Sequence, residues 1–346
     1  MLTITDPDLL LHHGAGELNA GKITPCFEQP ARLKAVLDAL AEARWPAPIP
    51  PDPSARAAAE AAMRSVHAGE FIDFLKSAHA DWRAAGRDGD ALPLSAIGRR
   101  MHADRPPETI DGMLSYYAID PGTPITADTW RTLEAGAACI LTAVDRLQQA
   151  GSVFALIRPP GHHAGRDYYG GYGFVNMAAV AAQALREIGA SRIAVLDVDY
   201  HHGNGTQDIF YDRGDVFYAS IHADPRRQFP FFLGYADETG AGAGEGANLN
   251  LPLPWNTAWS SWSEALAAAC ARLKSFGAEA LVVSLGFDAF ERDPISHFKL
   301  TTEDFGRMGA AIAKQQLPTL FVFEGGYAID ALGANTLAAL EGFSGR

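Results

Sequence analysis

Two pairs of adjacent histidines and several aspartates are the residues of this chain whose types and spacing suit catalysis. The stretch LDVDYHHGNG places Asp197, Asp199 and His201 at alternate positions from the end of an apolar run. Alternate residues of an extended strand point to the same face, so two carboxylates and an imidazole would share one side there. A divalent cation needs one more ligand from another segment, and Asp288, which ends ALVVSLGFD, is our candidate.

The kind of metal site follows from the number and type of these ligands. Three protein ligands leave a coordination position open for water, as in catalytic rather than structural sites. Oxygen-rich ligands suit Zn2+, Fe2+, Co2+ and Mn2+ alike. A solvated strand end is the plainer interpretation of one Asp or His. We set it aside because an Asp-x-Asp-x-His run, a second histidine pair and a third strand-end aspartate coincide.

The second histidine pair, His162 and His163, lies in RPPGHHAG after a rigid, turn-prone Pro-Pro-Gly. One imidazole could take a proton from the attacking water and give it to a leaving amine. Each ring also needs an acceptor on its other nitrogen, and Asp197 and Asn204 are the candidates. A purely structural histidine pair is the alternative.

Tyr327 follows two glycines in EGGYAID, where its phenol could donate a hydrogen bond to an oxyanion. A structural tyrosine is the alternative. The glycine-rich TGAGAGEGAN (239–248) does not indicate a nucleotide site, because it precedes the extended LNLPLP instead of opening a helix. We expect a flexible loop there. The chain has neither a Gly-x-Ser-x-Gly elbow nor a GKS or GKT phosphate loop.

Apolar, β-branched runs alternate with alanine-rich helical stretches in the second half of the chain. We predict strands at 153–159, 192–199, 216–224, 280–288 and 318–327, helices at 176–189, 262–277 and 302–316, and a short helix in TQDIFYDRG. This alternation predicts an α/β fold with a three-layer arrangement, a mostly parallel central sheet flanked by helices. Ligands of such sheets bind beyond the carboxyl ends of the strands, where the polar clusters fall.

The first 150 residues are less regular. Helices are expected at 28–43 and 129–150, and the proline-rich 45–53 reads as a stiff surface loop. Residues 83–128 show little periodicity, which is typical of a functional or oligomerisation insert. No linker divides the chain, so residues 1–346 are interpreted as one domain.

Composition limits the classes of function. With 346 residues and 48% hydrophobic content, the chain can form a large core without disulfides. Its three separated cysteines predict a reducing compartment, and hence a cytoplasmic protein. The N-terminus lacks signal-peptide features, and no apolar run is long enough for a membrane span. The net charge of −13 argues against a nucleic-acid partner and suits a cationic substrate.

Several motifs in order resemble those of the histone deacetylase superfamily over about residues 150–330. They are RPPGHHA, GGYGFVN, LDVDYHHGNGTQDIFY, SIHADP, SLGFDAFERDP and EGGY. VHAGEFIDFL (66–75) resembles an early motif of that family. GELNAGKITPCFEQPAR, FPFFLGYADETGAGAGEG, DPISHFKLT and the insert at about 83–122 are similar to the bacterial acetylpolyamine amidohydrolase branch.

The resemblance implies the arginase/deacetylase fold and a metal-dependent amide hydrolase. Its zinc ligands would be Asp199, His201 and Asp288, with Fe2+ or Co2+ as alternatives. It also implies a structural K+ beside the site, bound by oxygens of Asp197, Asp199, His201, Ser220 and Ile221.

The resemblance also implies roles for the catalytic residues. His163 would move the proton, while His162 would act mainly through its charge. Tyr327 would polarise the acetyl carbonyl and stabilise the oxyanion. Asp197 would orient His162, and Asn204 would contact His163.

For the substrate, the resemblance implies that the Gly171 carbonyl accepts the amide N–H and that Tyr172 and Phe229 line the channel. Asp111 would be an acidic entrance residue, and the insert at about 83–122 would form a homodimer that narrows the entrance.

Three positions depart from the pattern of relatives. Gly173 stands where many have cysteine, which predicts a wider acetate-side cavity. Asn204 replaces the aspartate of one branch. Only Asp120 lies near a second expected acidic position.

Four functions accord to different degrees with these features of the sequence. The favoured one is a zinc-dependent deacetylase of small cationic acetylated amines, such as acetylputrescine, acetylcadaverine or acetylspermidine. The alternative is a class II-like deacetylase of acetyl-lysine in proteins, against which the long insert argues. A non-enzymatic binding module is disfavoured by the complete site. An arginase-type manganese enzyme needs two metals, and the sequence has ligands for one transition metal.

Overall fold

A computed structural model describes residues 1–19, 21–96 and 101–346. The strands are β1 Leu2–Ile4, β2 Glu17–Asn19, β3 Lys22–Thr24, β4 Ser152–Ala155, β5 Ile193–Asp197, β6 Val216–Ala223, β7 Asn248–Leu253, β8 Ala280–Leu285 and β9 Thr319–Phe323. The helices are α1 Ala31–Glu42, α2 Pro53–Arg64, α3 Gly69–Ala84, α4 Ile110–Tyr117, α5 Thr129–Ala150, α6 Met177–Glu187, α7 Asn204–Phe210, α8 Trp259–Phe276, α9 Thr302–Ala313 and α10 Ile329–Ser344.

A parallel sheet forms the centre of the molecule. Within the described ranges it has seven strands in the order β1-β4-β9-β8-β5-β6-β7, and every neighbouring pair is parallel. β2 and β3 form a separate antiparallel hairpin. The strands β5, β8 and β9 are buried throughout, as their continuous apolar sequences predict, because helices cover the sheet. The predicted α/β fold with a parallel central sheet is confirmed.

The register of the sheet aligns the strand ends that carry polar residues. Asp197, the last residue of β5, lies opposite Ser220 on β6 and Ser284 on β8. All five predicted strands end earlier than the sequence predicts: β4 at Ala155, β5 at Asp197, β6 at Ala223, β8 at Leu285 and β9 at Phe323. The predicted strands at 153–159, 280–288 and 318–327 were therefore too long, because the site residues lie in the loops that follow.

The irregular first part of the chain contains more structure than its sequence indicates. Within 83–128 lie the helix α4 and a bridge between Ala91 and Ile125. Ile49 in the proline-rich segment pairs with Ile4 of the edge strand β1, which the sequence did not indicate. Such short elements form through tertiary contacts and leave little periodic signal. Residues 97–100 of the expected insert lie outside the described residues, and its role in dimerisation stays a prediction.

At the opposite edge of the sheet from β1 lie β7 and the glycine-rich segment that precedes it. The extended LNLPLP belongs to β7, which pairs with β6. The glycine-rich segment before it contains a short 3-10 turn at Gly242–Gly244. No helix in the described part of the chain is long and apolar enough to cross a membrane.

A buried ionic cluster ties the N-terminal segment to the sheet. Glu28 accepts hydrogen bonds from Arg158 at 2.9 and 2.5 Å and from Arg32 at 3.2 Å. Arg158 also donates to the Leu9 carbonyl. Burial alone would raise the pKa of Glu28, but the two guanidinium groups outweigh it and lower that pKa to about 2. The cluster therefore stabilises the fold only while Glu28 is ionised.

We expect Glu28→Gln to lower the free energy of unfolding at pH 7 by about 3–5 kcal/mol, because it leaves two buried guanidinium groups without their carboxylate. The folded pKa lies below the ordinary value of 4.5, so this stabilisation is present above about pH 4.5 and lost as the pH falls toward 2. Urea unfolding at several pH values measures it. Equal stability of the two proteins at pH 7 would contradict the role of Glu28. Glu303→Gln, which removes an exposed partner of Arg307, should change little.

Candidate active site

Asp199, His201 and Asp288 meet beyond the ends of β5 and β8. His201 Nδ1 lies 2.9 Å from Asp288 Oδ2 and 3.5 Å from Asp199 Oδ1. One ligand atom from each residue lies within 4.8 Å of the others, and all three residues are buried. Because β5 ends at Asp197, the expected strand alternation does not place them. The loop turns instead, with the His201 N–H donating to Asp199 Oδ1 at 2.9 Å.

The charges of this group suit a divalent cation. Burial and the neighbouring Asp199 raise the pKa of Asp288 to about 8. Burial lowers the pKa of His201, but hydrogen bonds and attraction to both carboxylates raise it overall to about 9. Among the described residues, only histidines form ion pairs with these two carboxylates. Two buried carboxylate oxygens and one imidazole nitrogen are a donor set that a divalent metal fits.

The tandem histidines lie against the metal-binding group in opposite electrostatic environments. His162 Nδ1 lies 3.0 Å from Asp197 Oδ2, and its Nε2 lies 3.7 Å from Asp199 Oδ1. Burial opposes protonation of His162, but the two aspartates raise its pKa well above the ordinary value. Burial, with His162 and His201 as neighbours, lowers the pKa of His163 well below it. The surroundings therefore favour the protonated form of His162 and the neutral form of His163.

Asn204 sets the tautomer of His163. The Asn204 side-chain nitrogen donates to the His163 carbonyl at 3.2 Å, which turns its oxygen toward the ring. That oxygen lies 2.6 Å from His163 Nδ1. Nδ1 must then carry the proton, because an amide oxygen only accepts hydrogen bonds. Nε2 keeps its lone pair, and His163 lines the cavity described next.

A cavity of about 230 Å³ opens beside these residues. Tyr172 and Phe229 contribute aromatic walls, and the Phe229 ring centroid lies 4.9 Å from that of His163. Gly171 lies so close to His163 that a Cβ there would come within 2.2 Å of the imidazole. The structure therefore brings together Gly171, Tyr172 and Phe229, as the sequence comparison implied. Their roles with substrate stay predictions.

Tyr327, the candidate hydrogen-bond donor to an oxyanion, also lines the cavity. Tyr327 is buried, and burial raises its pKa well above the ordinary value although Arg32 lowers it. Its phenol is therefore protonated and available as a donor. The Tyr327 N–H donates to Asp293 Oδ2 at 2.7 Å, which fixes the segment that carries it.

Two carboxylates also line the cavity, and no lysine or arginine of the described chain joins them. Asp120 accepts hydrogen bonds from the N–H groups of Gly171 at 2.5 Å and Gly122 at 2.6 Å. Glu17 accepts from the Tyr172 hydroxyl at 3.0 Å. Sequence reasoning missed Glu17, because it lies in the short β2–β3 hairpin far from any strand-end motif.

Three further sequence-based expectations concern Asp111, Gly173 and the potassium site. Asp111 pairs with Arg87 and lines a separate cavity beside α3 and α4, so this chain does not bring it to the site. No space opens at Gly173, since a Cβ there would lie 3.0 Å from the Pro160 carbonyl oxygen, and the expected wider cavity is not found. Ser220 lies beside Asp197 but its hydroxyl pairs with His222 at 2.8 Å. The potassium site, including Ile221, stays a prediction.

The sequence model of the histone deacetylase domain matches residues 26–343, and the chain belongs to the histone deacetylase family. Enzymes of this family are metal-dependent, and Asp199, His201 and Asp288 form the candidate metal site here.

Particular relatives match along the whole chain. It is 51% identical over 351 residues to acetylpolyamine amidohydrolase 2 of Pseudomonas aeruginosa, with 100% of this chain and 99% of the relative covered. It is 47% identical over 347 residues to the acetylpolyamine amidohydrolase of Mycoplana ramosa, with both chains covered completely.

Solved structures agree with this relationship. Acetylpolyamine aminohydrolase from Burkholderia pseudomallei superposes with a TM-score of 0.92 at 38% identity, covering 99% of this chain and 98% of that one. The HDA15 HD domain superposes with a TM-score of 0.80 at 26% identity, covering 99% of this chain and 89% of that one.

We expect Asp288→Ala to abolish stoichiometric metal binding, because it removes one of three protein ligands from the buried group. Elemental analysis of the purified variant gives the metal content. Asp224→Ala, which removes the partner of Arg226 outside this group, is the control and should keep its metal. Full metal content in Asp288→Ala would show that another residue completes the site.

Proposed function

We propose that this chain hydrolyses the amide bond of acetylated polyamines, such as acetylputrescine, acetylcadaverine and acetylspermidine, to acetate and the free amine. The observation that carries the proposal is one cavity lined by the neutral base His163, the metal-ligand candidate His201, the phenol Tyr327 and the carboxylates Glu17 and Asp120. Such a lining pairs hydrolytic groups with acidic ones. Relatives named acetylpolyamine amidohydrolase at 51%, 49% and 47% identity support it.

The metal is proposed to be Zn2+, with Fe2+ or Co2+ as alternatives, held by Asp199, His201 and Asp288. When bound, such an ion supplies Lewis-acid polarisation of a carbonyl and lowers the pKa of a coordinated water. We also propose that K+ binds beside this site, at oxygens of Asp197, Asp199, His201, Ser220 and Ile221.

His163 is proposed to be the general base and then the general acid. Its neutral Nε2 takes a proton from the attacking water and returns it to the nitrogen of the leaving amine. Asn204 keeps the ring in the tautomer that this transfer requires. His162, held by Asp197, stays charged and favours negative charge that develops nearby.

Tyr327 is proposed to donate a hydrogen bond to the acetyl oxygen as it becomes an oxyanion. A protonated phenol suits this role because a donor aimed at developing charge lowers the barrier. The Arg32 guanidinium lies 4.8 Å from the centroid of the Tyr327 ring, and this cation–π contact helps to fix the position of the phenol.

The cavity walls suit the rest of a polyamine. The methylene chain would lie between Tyr172 and Phe229, while an ammonium group would lie near Glu17 or Asp120. The Gly171 carbonyl is proposed to accept the substrate amide N–H. Through a homodimer formed by the insert at about 83–122, Asp111 would add negative charge to the entrance.

The remaining proposals concern the surroundings of the enzyme. Free and separated cysteines suit a reducing compartment, and we propose a cytoplasmic location. The net charge of −13 supports cationic amines as partners rather than nucleic acid or anionic membrane surfaces.

Acetate release by zinc-loaded protein tests the proposed function. We expect chelator-sensitive turnover of N-acetylputrescine and acetylspermidine, with a higher kcat/KM than for an acetyl-lysine peptide. Tyr327→Phe is the control for chemistry and should lower kcat by about 10²-fold or more with its metal retained. Faster turnover of the peptide would identify a protein deacetylase instead. Normal turnover by Tyr327→Phe would remove the phenol from the mechanism.

The acidic lining generates a prediction about the amine. Glu17→Gln keeps an oxygen that can accept from Tyr172 but removes the negative charge. We expect it to raise KM for N-acetylputrescine roughly tenfold, the equivalent of about 1.4 kcal/mol of lost attraction. N-butylacetamide has the same carbon chain without the ammonium, so its KM should not change. An equal effect on both substrates would mean that Glu17 shapes the cavity and does not recognise charge.

A further inference from the structure

Glu324 is a fully buried carboxylate that the proposed chemistry does not use. It directly follows β9 and has an exposed fraction of 0%. Its Oε2 accepts hydrogen bonds from the Gly161 N–H at 2.6 Å and from the His162 N–H at 3.3 Å. Its Oε1 has no hydrogen-bond partner within the described part of the chain. Burying a carboxylate has an unfavourable desolvation free energy. We therefore infer that its two hydrogen bonds to backbone N–H groups serve to position the loop that carries them.

The backbone at Glu324 is itself fixed on several sides. Its N–H donates to the Leu285 carbonyl at 3.0 Å, and its carbonyl accepts from Arg32. The next N–H, of Gly325, donates to Asp199 Oδ2 at 2.8 Å. Arg32 also donates to the Gly326 carbonyl at 2.7 Å. The segment that leads to Tyr327 therefore has a defined position.

The loop that carries His162 and His163 is held by other contacts than the segment that leads to Tyr327. The His162 carbonyl accepts from the N–H groups of Gly205 at 3.0 Å and Thr206 at 3.2 Å. The N–H groups at the start of the loop, those of Gly161 and His162, are bound by the Glu324 side chain. A Cβ at Gly161 would come within 2.4 Å of the Val175 carbonyl oxygen, so the loop is closely packed against the backbone there.

We propose that Glu324 is a positioning residue, which sets the separation between the histidine pair and Tyr327 by joining their two loops. The base and the oxyanion donor follow neighbouring strands, β4 and β9, whose register ends at Ala155 and Val322. Beyond that point no strand pairing holds the two loops together. The hydrogen bonds from the Gly161 and His162 N–H groups to the Glu324 carboxylate join them instead. The inference rests on the proposed function, in which both groups must meet one acetyl group, and small misplacements of such groups are expensive.

Three substitutions separate the position of the acceptor from its charge. Glu324→Gln keeps an acceptor oxygen at the same reach without the charge. Glu324→Asp keeps the charge but withdraws the acceptor by one methylene group. Glu324→Ala removes both, and the Gln and Asp variants decide the question if the Ala variant fails to fold.

Amide hydrogen exchange reads the two hydrogen bonds without any activity assay. We expect exchange at the Gly161 and His162 amides to be at least about tenfold faster in Glu324→Asp and Glu324→Ala, and near the parent rate in Glu324→Gln, because loss of a bond lowers the local opening free energy. Unchanged protection in the Asp and Ala variants would overturn the proposal. The result stands even if acetylpolyamines are not the substrates.

Kinetics then test the consequence for catalysis. We expect Glu324→Asp to lower kcat by about 10-fold to 10²-fold with KM and metal content little changed, while Glu324→Gln keeps a kcat near that of the parent. In a Tyr327→Phe background, the loss caused by Glu324→Asp should be smaller, since the group it positions is gone. A normal Asp variant beside an inactive Gln variant would show that Glu324 acts through charge and would overturn the positioning role.

Discussion

Buried negative charge is the constraint around which this molecule is arranged. Asp197 at the end of β5, and Asp199 and Asp288 just beyond the ends of β5 and β8, are each fully buried. Their ionic partners among the described residues are histidines. Carboxylates in a dry interior repel each other and lose hydration, so they persist as ions only with compensating charge and hydrogen bonds. A bound divalent cation would supply that compensation.

The backbone supplies part of the compensation, which is how the fold and the site depend on each other. Asp199 Oδ2 accepts the Gly325 N–H, and Asp288 Oδ1 accepts the Tyr200 N–H at 2.7 Å. Each bond runs from one strand-end loop to another. The carboxylates therefore orient the loops while the loops orient the carboxylates.

The sequence predicts the location of this site better than its internal geometry. Apolar runs that end in polar residues identify the edge of a parallel sheet, and that rule brought Asp197, Asp288, His163 and Tyr327 together correctly. Strand alternation wrongly explained how His201 comes to face the carboxylates, since the chain turns after Asp197.

Residues fixed by tertiary contact gave no usable sequence signal. Glu17 lies in a three-residue strand, and its approach to Tyr172 depends on how the hairpin packs. Asp111 pairs with Arg87 within this chain, and its place at the entrance stays a prediction. X-ray absorption at the metal edge of stoichiometrically loaded protein, combined with anomalous diffraction, shows directly whether this group holds the ion. We expect one ion with two carboxylate oxygens and one imidazole nitrogen, located between Asp199 and Asp288. An active enzyme whose single ion lies elsewhere would contradict this expectation.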